Sequence, residues 1–202
     1  MPATIVRPVA ESFVIEGGHT LSGRLRAAGN KNGALPILAA CLLTDEPVVL
    51  ANVPRIRDVE TLVELIASAG VDTNWVSRNT LHIHAKTVVS TKLDPALCRK
   101  IRASILLAGP LLARCGQIEL PPPGGDVIGR RRVDTHFLAL ERLGATFELS
   151  DNFILSTSGL RGADIFLVQT GCIPVDRNLM ELMLMIQAAK LASATAIAPL
   201  SK

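Results

Sequence analysis

The sequence predicts an α/β protein of repeated βαβαββ units, two complete and a third truncated, and three observations predict it. Hydrophobic periodicity switches between strand-like and helix-like runs in an order that occurs twice. The segment from Val59-Glu60-Thr61 to Gly70 aligns without gaps on Val133-Asp134-Thr135 to Gly144, 74 positions later. Each of these helical runs stops at a glycine, the residue that takes the left-handed C-cap conformation without a Cβ penalty.

The first unit, about 23–85, is entered by an alternating strand from Thr20 to Arg26 that leads to Gly29. A helix from about Asn32 to Leu43 follows, then a strand Val48 to Leu50, a loop Asn52 to Arg57, and a second helix Val59 to Ala69 ending at Gly70. Alternation then predicts strands near Val71 to Val76 and Thr80 to His84. The second unit, about 86–158, repeats the order with a helix Pro95 to Ala113, a strand Gln117 to Leu120 and a loop of prolines and glycines. Its second helix runs Val133 to Leu143 and stops at Gly144, before strands Ala145 to Leu149 and Phe153 to Thr157. A third unit, about 159–202, has a strand Ala163 to Val168, an apolar helix around Asn178 to Ala192 and a short strand Thr195 to Ala198. Without its second helix and last strands this unit exposes apolar surface, so either a complementary half or self-association is expected to cover it or the chain is a fragment of a longer protein.

Composition narrows the partners. About half the residues are hydrophobic but only 3% are aromatic, so the core is aliphatic and bases find little to stack on; single-stranded nucleic acid is not expected. The net charge of +3 owes much to one run, Arg130, Arg131 and Arg132, which suits a local anion site better than a polyanion groove. Cys41, Cys98, Cys115 and Cys172 have no close-pair spacing, so neither a zinc ribbon nor a disulfide framework is expected. The longest apolar stretch, Ala103 to Ala113, is too short to span a bilayer, and the first twelve residues do not read as a targeting peptide. A cytoplasmic protein with reduced thiols, no cofactor, no membrane contact and a small anionic ligand is the expectation.

Three places carry candidate chemistry. In Gly29-Asn30-Lys31-Asn32-Gly33, unpaired N–H groups and the helix dipole favour an anion, and Lys31 adds a full charge; alternatively Asn30 or Asn32 caps the helix and Lys31 is solvated. In the loop Pro121 to Asp134, glycines allow close approach to a ligand and three arginines supply planar donors for phosphate or carboxylate. Asp126 in that loop could move protons if burial raised its pKa, although the arginines oppose that shift; the alternative is a surface loop of solvated charges. Arg102 falls near the middle of an otherwise apolar predicted helix, where snorkelling at the helix edge is the plain alternative to ligand contact. His19, His82, His84 and His136 are scattered, and His82-x-His84 reads as strand alternation, so no metal site is expected.

These residues resemble the enolpyruvyl transferases, in particular the branch whose acceptor is UDP-N-acetylglucosamine. The shared motifs are Lys31-Asn32-x-Ala34-Leu35-Pro36, Arg102-Ala103-Ser104 followed by Gly109-Pro110-Leu111, and Gly124-Gly125-x-x-Ile128-Gly129 followed by Arg131-x-Val133-Asp134, within a resemblance from about Gly23 to Val168. It implies an inside-out α/β barrel of two domains, each of three βαβαββ units, with the active site between them. Residues 1–22 would then belong to the second domain and residues 23–202 to an incomplete catalytic domain. The implied reaction moves the enolpyruvyl group of phosphoenolpyruvate to the 3-hydroxyl of UDP-N-acetylglucosamine, the first committed step of peptidoglycan synthesis and hence of cell-wall biogenesis. By position, Lys31, Asn32 and Arg131 would hold phosphoenolpyruvate. Arg102, Arg131, Arg132, Val133, Asp134 and Thr135 would hold the UDP-sugar.

Asp126 stands where most of the family has cysteine and would be the proton donor; Cys115 lies eleven residues earlier, at a helix end, and is expected to be structural. Arg132 replaces the family's usual proline, and VQTGCIPVDRN, residues 168–178, departs from the family's pattern. The remaining half of the family's length would hold a catalytic aspartate and further arginines, so negligible turnover is expected of this chain alone. A noncatalytic binding fragment is the reading from a different class. A transferase acting on shikimate 3-phosphate shares the barrel, but the Gly124-Gly125 loop and Arg131-x-Val133-Asp134 argue against it.

Overall fold

Short polar side chains start two of the helices. In the structure, a computed structural model that describes residues 14, 16–18, 20, 22–125 and 133–163, Asn30 Oδ1 accepts a 3.0 Å hydrogen bond from Gly33 N and opens α1, Lys31–Ala40. Asp94 Oδ1 accepts from Ala96 N at 2.7 Å and Leu97 N at 2.9 Å, and with Pro95 in the first turn it opens α3, Pro95–Lys100. α2, Arg57–Ser68, and α5, Asp134–Arg142, stop alike. Gly70 and Gly144 follow them with φ of 89° and 96°, and their N–H groups donate to Ala67 O and Glu141 O, both at 2.9 Å.

The strands β1, Pro47–Leu50, β2, Asp72–Ser77, and β3, Thr80–His84, form an antiparallel sheet in the order β1-β3-β2. The strands β4, Gln117–Leu120, β5, Thr146–Leu149, and β6, Phe153–Ser156, form a second in the order β4-β6-β5. Register is matched as well as order. Pro47, His84 and Asp72 make one row of the first sheet, and Gln117, Ser156 and Thr146 make the same row of the second. The duplication inferred from helix periodicity therefore extends to strand pairing. Ile83 and Leu155, one row inward, are both fully buried, because alternate strand residues point to the helices.

Two sequence expectations are corrected. No strand forms over the described part of Thr20 to Arg26. Alternation alone does not make a strand when no neighbouring strand takes up its N–H and C=O groups, and Leu25 is 97% exposed. In the second unit, the corresponding leader is a parallel bridge at Lys92 and Glu119, with Glu119 N donating to Thr91 O and Leu93 N to Glu119 O. The predicted helix Pro95 to Ala113 is likewise broken. α3 ends at Ile101, whose backbone is extended (φ −136°, ψ 139°), a 3-10 segment runs Arg102–Leu107, and α4 is Ala108–Cys115. The cause is nonlocal: Gly124 N and Gly125 N donate to Cys98 O and Arg99 O, carbonyls that a continuing helix would have used. Smaller shifts occur at α1, which tightens into a 3-10 turn at Cys41–Leu43, and at α2, which begins two residues before the predicted Val59.

One continuous core joins both units, with Leu38, Leu42, Leu62 and Ile66 packed in the same cluster as Leu107, Leu111, Ile118, Leu140 and Leu155. Arg114 ties the units together: its guanidinium donates to Leu42 O, Thr44 O and Lys86 O at 2.9–3.1 Å. His136 takes the helix position aligned with Leu62, and both are fully buried. Among the described residues no helix is long and apolar enough to cross a membrane, and no three His, Cys, Asp or Glu side chains are grouped to hold a metal ion. The third unit's predicted strand and helix, apart from Ala163, lie outside the described residues.

Candidate anion-binding site

Lys31 and Asn32 are the first two residues of α1 and both are exposed, so the polar start of this helix faces solvent. Its placement is set from behind. A Cβ on Gly29 would collide with Asn52 O and Pro54 Cδ, so only glycine lets this turn lie against the loop after β1. The cap is Asn30, as one of the two plain readings had it. Lys31 is not simply solvated: its Nζ is 2.8 Å from Asp58 Oδ2 in the first turn of α2. Beside this pair, Arg55 Nε lies 2.7 Å from Glu60 Oε1, and the Arg55 guanidinium carbon sits 4.3 Å from the centre of the Trp75 ring.

Arg102 moves from mid-helix to the first position of the 3-10 segment, half-buried and engaged with neighbouring groups. That segment packs against α1 and α2. Lys31 and Arg102 thus open equivalent stretches of the two units, each leading through helical turns into the first strand of its sheet. Ser104 Oγ donates to Ile101 O at 3.1 Å within the core and fixes the turn that presents Arg102.

The base of the glycine-rich loop is pinned to the same place. A Cβ on Gly124 would collide with Arg99 O, and a Cβ on Gly125 would lie 3.0 Å from Arg102 N. Gly125 also has φ of 93°, a conformation that favours glycine. The chain thus leaves α3 against Arg102 immediately before Asp126. Asp126, Arg131 and Arg132 themselves lie outside the described residues. The far end of the loop re-enters at Val133, half-buried, and continues through Asp134 and Thr135, exposed in the first turn of α5.

Sequence reasoning did not find Asp58, Arg55 or the docking of Gly124 on α3. Asp58 alone left a trace, as an acidic residue at a predicted helix start. The thiols among the described residues are poor nucleophiles. Burial pushes Cys41 and Cys98 up to about 11, and it raises Cys115 despite the neighbouring Arg114.

Residues 15–180 match the family described as EPSP synthase (3-phosphoshikimate 1-carboxyvinyltransferase). The chain belongs to this family. Among curated relatives in the EPSP synthase family, the UDP-N-acetylglucosamine 1-carboxyvinyltransferase of Bradyrhizobium diazoefficiens is 64% identical over 155 residues, 77% of this chain and 36% of that enzyme. The enzyme of the same name from Treponema denticola is 44% identical over 185 residues, 92% of this chain and 42% of its own. The chain therefore spans less than half the length of these curated relatives. Among solved structures, the enolpyruvyl transferase NikO from Streptomyces tendae matches with a TM-score of 0.59 at 26% identity, over 72% of this chain and 32% of NikO. An EPSP synthase from Acinetobacter baumannii matches with a TM-score of 0.56 at 13% identity, over 81% and 37%, a likeness of fold alone. EPSP synthase family membership thus accounts for the α/β architecture.

Proposed function

We propose that this chain is the portion of a UDP-N-acetylglucosamine 1-carboxyvinyltransferase that gathers the two anionic substrates. The observation that carries the reading is the joining of the Arg102 segment to α1 on one side and to the Gly124-Gly125 loop base on the other. Two cationic helix starts and the stem of the Asp126 loop then serve one site. Lys31, Asn32 and Arg131 hold phosphoenolpyruvate; Arg102, Arg131, Arg132, Val133, Asp134 and Thr135 hold the UDP-sugar. Bringing two anions together needs this charge neutralisation, and fixed cations offset charge that grows in the transition state.

In the reaction the sugar 3-hydroxyl gives up its proton to a general base as its oxygen adds to C2 of phosphoenolpyruvate, while Asp126 delivers a proton to the methylene carbon, which becomes a methyl group. From the tetrahedral intermediate the bond from C2 to the phosphate oxygen breaks, a methyl proton returns to the Asp126 carboxylate, inorganic phosphate leaves with the proton taken from the hydroxyl, and the enolpyruvyl ether forms. In this reading residues 23–202 form two βαβαββ units and part of a third of an inside-out barrel, residues 1–22 pack with the second domain, and the protein works in the cytoplasm on peptidoglycan synthesis. The chain spans 36–42% of these relatives, and in this reading a complementary half or self-association completes the site. The high identity to UDP-N-acetylglucosamine transferases, beside 13% to an EPSP synthase, favours the sugar over shikimate 3-phosphate as acceptor.

Calorimetric titration with UDP-N-acetylglucosamine tests the reading. Binding that Arg102→Ala weakens about tenfold or more, the order expected for a lost charge-assisted contact, supports it. Equal affinity of parent and variant, or preference for shikimate 3-phosphate, overturns it. Phosphate release on adding both substrates would show that the chain also turns over.

A further inference from the structure

We propose that Asp58 is the resident counter-ion of Lys31, a carboxylate that holds the ammonium between the starts of α1 and α2 until a phosphate-bearing ligand replaces it. The proposal rests on the reading that Lys31 receives phosphoenolpyruvate and adds a specific residue to it. Nζ and Oδ2 are 2.8 Å apart, and the side chains are 47% and 40% exposed, so a ligand can reach the pair from solvent. An exposed pair of this kind contributes little net stability, so exchanging its anion costs little. Ile56 supplies no side-chain cap to α2, and Asp58 lies in that helix's first turn, where negative charge is favoured. The helix thereby keeps the carboxylate in place in the absence of ligand.

Pairing has two opposed effects on an incoming anion. It restrains the four-carbon stem of Lys31, which favours binding, and it places a negative charge about 5 Å from the new oxygen, which opposes binding. The second effect grows with the charge on the ligand and dominates for a phosphate. Asp58 therefore weakens the binding of a phosphate more than that of a singly charged anion, and removing its charge tightens the binding of phosphoenolpyruvate.

The two effects separate in Asp58→Asn, which keeps an acceptor for the ammonium and removes the charge. Calorimetry with phosphoenolpyruvate at low ionic strength is expected to show about fivefold tighter binding, from Coulomb repulsion at this distance, with the gain shrinking as salt is added. Glu60→Gln is the matched control, because it removes a carboxylate from the same helical turn that pairs with Arg55 instead. At about 0.15 M salt it should stay within about twofold of the parent, since exposed charges more than a Debye length of about 8 Å from the ligand are then screened. The gain should also vanish in the double variant with Lys31→Met. Equal or weaker binding by Asp58→Asn, or an equal gain in Glu60→Gln, overturns the proposal while leaving the role of Lys31 intact. Should Lys31→Met bind as tightly as the parent, or should parent and Asp58→Asn both fail to bind, the counter-ion role and the phosphoenolpyruvate assignment fall together.

Discussion

Gly124 rests against the carbonyl of Arg99 so closely that a single methyl group in place of its hydrogen would have to displace backbone. The contact joins the end of α3 to the stem of the loop, and Gly124 N donates to Cys98 O at 3.0 Å in the same place.

Gly124→Ala is accordingly expected to lower stability by about 2 kcal/mol, the usual range for a forced overpacking against unyielding atoms. Thermal or urea unfolding measures it. Gly33→Ala is the comparison, because nothing lies within 4 Å of a Cβ there and Gly33 sits inside α1. That substitution should leave stability unchanged or raise it by up to about 1 kcal/mol. Equal effects of the two changes would mean that the α3 contact does not hold the loop base.

Acid weakens a second junction in a calculable direction. Glu119 Oε1 is 2.8 Å from Lys92 Nζ and accepts from Asn152 Nδ2 at 2.6 Å. The Lys92 contact first, and the Asn152 amide next, hold this carboxyl below its ordinary 4.5. A carboxylate whose pKa is depressed by folding contributes stability above its unfolded value and loses it as pH falls through the folded one. Glu119→Gln should therefore melt below the parent at pH 7, and the two melting temperatures should converge as the pH is taken below 4.5. A difference that grows in acid would contradict the pairing.

Covalent inhibition by the epoxide fosfomycin needs a thiolate, and the proposed proton donor of this chain is the carboxyl of Asp126. No adduct is expected on the tryptic peptide that carries Cys115 and Asp126 at neutral pH, even with UDP-N-acetylglucosamine present. Cys115 does not substitute, since burial raises its pKa, and Cys41 and Cys98 are held at about 11. An adduct mapped to Asp126 would refute this.

The reach of local sequence patterns is visible in α2. Its apolar residues Val59, Leu62, Val63 and Ile66 recur at helical spacing and all are buried, so the element follows from periodicity alone. The paired strands were legible for the same reason, since alternation decided which side chains face the helices. The break at Ile101 was not, because it depends on N–H groups from Gly124 and Gly125, more than twenty positions on. Thr20 to Arg26 alternates like a strand, yet alternation does not specify a partner strand. At the candidate site, the polar start of α1 was readable because caps are local, whereas the Lys31 and Asp58 pair spans 27 positions. Arg102 was misplaced in its helix, an error that follows directly from the missed break.

The chain contains a single tryptophan, and Trp75 lies under Arg55, which is bonded to the same turn of α2 that carries Asp58. A cation over an indole perturbs its emission, so this protein has an optical sensor wired three side chains away from Lys31. Displacement of Asp58 from Lys31, as proposed above, is then open to a test by stopped-flow fluorescence without any label attached.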